Sequence, residues 1–178
     1  TVSGSDRQPS PLMHSLQAAG ARLCIGHRAE NILGADVIVR SSAVRDDNPE
    51  VQAGLRAGVP VLKRADFLEQ LTQGQETIAV AGAHGKTTTT AMIAWMLTAL
   101  GQDPSCVIGG VAANLGTNAR AGAGRFFVIE ADEYDRMFHG LHPAIAVVTN
   151  IEHDHPDCYP TPAEFYAAFR QFAGQVRS

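Results

Sequence analysis

Hydrophobic positions along the chain follow two periods in alternation. Leu12, Leu16 and Ala19 recur at helical spacing behind Pro9-Ser10-Pro11, and Gly20 ends the pattern. Short apolar runs predict strands at residues 1–4, 21–25, 35–39 and 59–62, the third being the β-branched ADVIV. A helix starts at Asn48-Pro49-Glu50 and runs to Gly58, and a short one covers 67–71. The alternation then begins again. TIAVA at 77–81 predicts a buried strand, 86–100 a helix stopped by Gly101, and 105–108 another strand. RFFVIEA at 125–131 and AIAVVT at 144–149 are continuous apolar runs, the pattern of strands buried on both faces. Residues 109–124, rich in Gly, Ala and Asn, read as loop. From Thr161 onward Phe165, Ala168, Phe169 and Phe172 mark an amphipathic helix. Strands alternating with helices predict an α/β fold with parallel sheets, and Gln73-Gly74-Gln75 is the best linker between its two runs.

Composition narrows the function. The chain has 178 residues, 45% hydrophobic and 18% charged, a balance of globular rather than disordered chains. A formal net charge of −4 argues against a broad basic face for nucleic acid. No apolar run reaches the ~18 residues that cross a bilayer, so no membrane partner is expected. Cys24, Cys106 and Cys158 match neither a disulfide framework nor a zinc spacing, and read as reduced thiols of a cytoplasmic protein.

Three motifs carry chemistry, each directly after a predicted strand. The first is Gly82-Ala83-His84-Gly85-Lys86-Thr87-Thr88, between a strand and a helix. Its glycines let backbone N–H groups face an anion, and the helix N-terminus adds positive potential. Lys86 is placed to reach the β- and γ-phosphates of a nucleotide and the Thr87 hydroxyl to hold Mg²⁺. The standard loop has a further Gly five residues before Gly85, where this chain has Val80, so the loop is a shortened one. The second motif is Glu130-Ala131-Asp132-Glu133-Tyr134-Asp135, in which Glu130 lies nearest the sheet edge, where a carboxylate can ligate Mg²⁺ beside phosphates. The third is residues 149–157, TNIEHDHPD. His153 and His155 resemble a zinc pair, but no third and fourth ligand converge, and one His beside a hard cation is the better reading. His139 and His142 read as surface residues. In the first half, Asp6 at a strand end is placed for a ribose, and Arg40-Ser41-Ser42-Ala43 forms a sheet-edge loop suited to a small anionic or sugar ligand.

Taken together, GAHGKTTTT, EADEYD and TNIEHDHPDCY, in this order behind VSGSD and GADVIVRSSAV, resemble the Mur ligases, the ATP-dependent amino-acid ligases of peptidoglycan synthesis. Within that family the motifs are most similar to those of the L-alanine-adding branch. EADEYD also resembles the tripeptide-recycling branch, but the insertion usual there after this motif is missing between Asp135 and Ala144. Ala83 stands where the family commonly has Thr.

The resemblance implies an incomplete Rossmann-like UDP-binding domain over residues 1–73 and an incomplete P-loop ATPase domain over 74–178. It implies ATP and Mg²⁺ as cofactors and UDP-N-acetylmuramate and L-alanine as substrates. Lys86, Glu130, His155 and Asn150 would be catalytic, with Thr87, Glu130 and His155 holding metal and residues 82–88 cradling ATP. Asp6, Ser41 and Ser42 would bind the UDP-sugar. Two other classes compete: a non-catalytic P-loop nucleotide switch, and a metal-dependent hydrolase built on the His and Asp residues.

Overall fold

The structure is a computed structural model and describes residues 1–177. The chain forms two compact units, divided between Arg64 and Ala65. In the first unit β1 (Ser3–Asp6) pairs in parallel with β2 (Arg22–Ile25), and β3 (Ile38–Arg40) with β4 (Val61–Lys63). Helix α1 (Pro11–Ala18) is capped by the Ser10 hydroxyl, which accepts from the Met13 N–H, with proline in its first turn. Helix α2 (Pro49–Ala57) is capped in the same way by Asn48 and closed by the left-handed Gly58.

The end of β1 is tied to α2 by one carboxylate. Glu50 accepts from the Ser5 hydroxyl at 2.7 Å, the Asn31 amide at 2.6 Å and the Arg28 N–H at 3.4 Å. His27 Nδ1 lies 3.3 Å from the same group. Burial works to raise the Glu50 pKa, but the hydrogen bonds from Asn31, Ser5 and Arg28, together with His27, outweigh it and hold the carboxyl below its ordinary value.

The second unit is built on one five-stranded sheet. Its strands are β5 (Glu76–Ala81), β6 (Ser105–Ala112), β7 (Thr117–Arg120), β8 (Phe126–Glu130) and β9 (Ile145–Val148). Their order is β7-β6-β8-β5-β9, all parallel except the β6–β7 pair. Helix α4 (Lys86–Ala99) covers one face, while α3 (Arg64–Leu71) and α5 (Pro162–Gly174) contribute to the other. Strand periodicity divides the core. Ala79 and Ala81 of β5 with Phe127 and Ile129 of β8 pack toward Phe138, Tyr159, Phe165, Phe169 and Phe172. Ile78 and Val128 point the opposite way, toward Ala94, Cys106 and Ile108. Phe138 is fully buried, stacked on Phe172 at 4.9 Å between ring centroids and edge-on to Phe169 at 5.2 Å.

Several sequence expectations change here. The stretch read as loop at 109–124 contains the end of β6 and the whole of β7, folded back as an antiparallel hairpin through the turn at Gly116. Its small and polar residues give no alternation for a periodicity argument to detect. Strand β9 is not buried on both faces, because it forms an edge of the described sheet with Ile145 and Val148 exposed. His139 is half-buried rather than a surface residue: its ring stacks on Phe138, and Nε2 lies 3.0 Å from the Ala168 carbonyl of α5. Burial pushes its pKa down. The short helical turns 29–32 and 134–140 had no sequence signal of their own. Cys24, Cys106 and Cys158 are all free thiols. Among the described residues no helix is long and apolar enough to cross a membrane.

Two stability predictions follow from this packing. Phe138→Ala leaves a cavity among three aromatic rings and should lower unfolding free energy by about 3–5 kcal/mol in urea denaturation. The Glu50 contribution has a lowered folded pKa, so it is fully present above the unfolded value of about 4.3 and is lost as pH falls through the folded value. Melting curves should therefore separate wild type from Glu50→Gln at neutral pH and converge as pH falls below the ordinary carboxylate range, whereas a constant gap would exclude the linkage.

Candidate active site

Parallel pairing places the ends of β5, β8 and β9 at one sheet edge. The register sets Val80 opposite Glu130 and Ala81 opposite Val148. The loops that follow, beginning at Gly82, Ala131 and Thr149, therefore leave from a common line. Two backbone hydrogen bonds continue the ladder beyond the strands, from the Ala131 N–H to Val80 O and from the Thr149 N–H to Ala81 O.

The loop after β5 turns at Gly82, with φ of 138°, a conformation that only glycine adopts readily. A Cβ there would also collide with the Thr149 hydroxyl. Residues 149 and 150 clip this loop. The Ala83 N–H donates to Asn150 O at 3.2 Å, and the His84 N–H to Asn150 Oδ1 at 3.0 Å. Asn150 Nδ2 and the Thr149 hydroxyl both donate to His84 O, at 3.1 and 2.6 Å. The N–H groups of Ala83 and His84 are thus already taken up by Asn150. The donors available to an anion lie at the start of α4, whose first N–H groups have no intrahelical acceptor. Gly85, with a left-handed φ of 81°, is the N-cap residue that opens this end.

Lys86 is the first residue of α4. Its Nζ donates to Gly82 O at 2.6 Å and to Glu133 Oε1 at 2.8 Å. An ammonium group has three protons, so one holds it to the loop, one to Glu133, and one remains for a ligand. Beside it, the Thr87 hydroxyl donates to Glu130 Oε1 at 3.1 Å, and the Gly109 N–H donates to Glu130 Oε2 at 2.7 Å. A Cβ at 109 would stand 2.6 Å from the Glu130 carboxylate, so a larger residue there would push that carboxylate from its place. Thr87 and Glu130 together offer hydroxyl and carboxylate oxygens, the donors a hard cation prefers. Among the described residues no three His, Cys, Asp or Glu side chains converge as a metal cage. The Thr87–Glu130 oxygen pair fits Mg²⁺, which keeps several waters or phosphate oxygens in its shell.

His155 approaches the same Glu133 carboxylate, with Nε2 3.7 Å from Oε1 and its ring edge-on to Tyr134 at 5.2 Å. Its φ of 55° is left-handed, an uncommon state for a non-glycine residue. The His155 N–H donates to Asp154 Oδ1 at 2.7 Å, and this bond, aided by the His155 ring, holds the Asp154 carboxyl below its ordinary value. His153 turns inward and meets Tyr159 O at 2.8 Å, so the two histidines do not act as a pair. The hydroxyl of Tyr134 donates to Asp157 at 3.0 Å, which pushes the phenol pKa up. Glu133, fully buried at the centre of this edge, was present in the sequence motif but carried no signal separating it from its acidic neighbours.

In the first unit a cleft of about 880 Å³ opens at the ends of β1 and β3, lined by Asp6, Arg7, His27, Ser41, Arg45 and Glu50 among others. It brings Asp6 and Ser41 together, while Ser42 is not among its lining residues. Asp6 accepts from the Gln8 N–H at 3.2 Å, and Arg40 pairs with the exposed Asp46 at 2.5 Å. The Glu50 network, which sequence reasoning missed, forms one wall. Glu50 had shown only as a residue in a helix first turn.

Comparison with known proteins agrees in both halves. Residues 1–76 match the Mur ligase family catalytic domain, and residues 80–178 match the Mur ligase middle domain. The chain is 48% identical over 99% of its length to a UDP-N-acetylmuramate–L-alanine ligase of Frankia casuarinae. It is 50% identical over 98% to the ligase of the same name in Sorangium cellulosum. It spans 36% and 37% of the length of these two relatives. The structure is similar to a solved UDP-N-acetylmuramate–alanine ligase from Thermotoga maritima, with TM-score 0.89 and 30% identity over 98% of this chain and 41% of that one. It is equally similar, at TM-score 0.89 and 33% identity over 99% of this chain and 61% of that one, to the Neisseria meningitides ligase that takes UDP-N-acetylmuramate and L-alanyl-γ-D-glutamyl-meso-diaminopimelate. The motifs at the sheet edge, the two family matches and the near-complete coverage by relatives agree: this chain belongs to the Mur ligase family.

Proposed function

We propose that the chain supplies the UDP-sugar cleft and the ATP phosphate site of an ATP-dependent ligase that joins L-alanine to the carboxylate of UDP-N-acetylmuramate. The observation that carries this reading is Lys86, held at the N-terminus of α4 between Gly82 O and Glu133, next to the Thr87–Glu130 pair. The relatives named above support L-alanine as the added amino acid. The first unit, with Asp6 and Ser41 in its cleft, would take the UDP-sugar, and the second would take ATP. Free thiols and nucleotide substrates fit a cytoplasmic enzyme.

In this reading a carboxylate oxygen of the muramic acid attacks the γ-phosphorus of ATP, and the bond to the ADP oxygen breaks. The amine of L-alanine then adds to the acyl carbon of the acyl phosphate, loses a proton and expels inorganic phosphate. Both reactants of the first step are anions, so the work of the site is to hold them in line and neutralise their charge. Lys86 places its remaining proton toward the phosphates, and the first N–H groups of α4 add partial positive charge. Thr87, Glu130 and His155 would hold Mg²⁺, which when bound neutralises phosphate charge. Asn150, from its hydrogen bonds, acts by fixing the phosphate loop.

Phosphate release by the intact protein, measured with UDP-N-acetylmuramate across L-Ala, Gly, L-Ser and the tripeptide, tests the reading. L-Ala should support the fastest turnover. Release with the tripeptide alone would assign the chain to the recycling branch, and ATP binding with no acceptor-dependent release would make it a switch. Lys86→Ala should lower turnover by at least ~10²-fold, the scale of losing one charge-stabilising group. Asn150→Ala removes two side-chain hydrogen bonds to the loop and should weaken ATP binding roughly 5–30-fold in calorimetric titration.

A further inference from the structure

We propose that Glu133 is a positioning residue for the phosphate loop: a buried carboxylate that sets where the Lys86 ammonium points and, through that, how well the transferred phosphoryl group is aligned. The proposal rests on the reading of Lys86 as the phosphate-binding lysine. Glu133 is fully buried, yet it carries a charge partner on only one oxygen. Oε1 accepts from Lys86 at 2.8 Å, while Oε2 is buried without a hydrogen-bond partner among the described residues. A carboxylate in that position has a high desolvation cost and persists only where its surroundings impose it.

Those surroundings are built for it. The Asp132 carboxylate accepts from the Tyr134 N–H at 3.0 Å, and Asp132 O accepts from the Phe138 N–H at 2.9 Å, which folds the chain back directly after β8. Asp135 and Arg136 follow with φ of 52° and 56°, both left-handed. The Tyr159 hydroxyl donates to Glu133 O at 2.6 Å from a fully buried ring, and burial pushes that phenol up to about 12. The backbone of Glu133 is therefore held from the segment leading into α5, and its side chain reaches Lys86 and the edge of His155. Lys86 is 15% exposed, so its charge is felt in a medium of low effective dielectric.

The arrangement has a consequence that a merely structural ion pair lacks. Glu133 both aims the ammonium and offsets part of its charge. Without the carboxylate, Lys86 would attract phosphates more strongly but in a looser geometry. Binding and turnover should then move in opposite directions.

The test uses the intact protein, with nucleotide affinity measured by calorimetry using a non-hydrolysable ATP analogue and turnover by phosphate release. Glu133→Gln keeps the shape of the side chain and removes its charge. The expected result is analogue binding tighter by about threefold or more together with a kcat lower by tenfold or more, the signature of lost transition-state alignment rather than lost binding. The affinity gain should disappear in the Lys86→Ala background, because Glu133 acts through that lysine. Tyr159→Phe, which loosens only the Glu133 carbonyl, should shift both quantities in the same directions by less and serves if Glu133→Gln does not fold. Weaker analogue binding and lower kcat together, or a kcat within about twofold of wild type, would overturn the proposal. An affinity change that persists without Lys86 would overturn it too. If Lys86→Ala itself retains normal turnover, the reading of the phosphate site fails instead, a separate and distinguishable outcome.

Discussion

The parallel pairing of β5 with both β8 and β9 is the constraint from which the site follows. It aligns Ala81, Glu130 and Val148 at the same end of the sheet, so three loops of unrelated sequence must share one edge. Each loop then contributes what the others lack. The turn from β5 into α4 brings the lysine and a helix N-terminus, the end of β8 and its loop bring one carboxylate each, and the loop after β9 brings the amide and hydroxyl that clip the first. Hydrogen bonds from Ala131 and Thr149 back into β5 continue the ladder into the loops, so the geometry at the edge is inherited from the sheet.

The aromatic core beneath explains why this edge can hold buried charge. Phe138, Tyr159, Phe165, Phe169 and Phe172 pack together on one face of the sheet, and Tyr159 passes from that cluster to the backbone of Glu133. The same residue thus has an apolar body in the core and a polar tip at the site. Core packing and site electrostatics are joined at this ring, and two residues of left-handed backbone adjoin it: the Arg136 guanidinium lies over the ring, and His155 O accepts from the Tyr159 N–H. Unfavourable local conformations of this kind persist where the surroundings over-determine them.

Much of this was legible in the sequence. The GKT run between a strand and a helix predicted the start of α4 at Lys86, and the acid after FFVI placed Glu130 at the sheet edge. Both signals depend on chain-local patterns. What stayed hidden depends on contacts between distant residues. Glu133 could not be told from Asp132 or Asp135 without knowing which way the chain folds after β8. Asn150 showed as part of a motif, and its bonds to a loop 66 residues earlier appear only once β9 pairs with β5. Glu50 holds Ser5 and Asn31 across 45 and 19 residues, and nothing near it in the sequence marks that role. The β6–β7 hairpin was missed because Gly, Ala and Asn give no period of two, and its pairing is set by the neighbouring strand β8.

Lys86 should meet the phosphates while still held by Gly82 and Glu133. A crystal structure of the intact protein with Mg²⁺ and a non-hydrolysable ATP analogue tests it most directly. The account predicts the β- and γ-phosphates against the first N–H groups of α4, with Lys86 Nζ in contact with a phosphate oxygen and still within hydrogen-bond distance of Glu133. A nucleotide bound away from this edge, or a Lys86 that reaches the phosphates only by leaving Glu133, would contradict it.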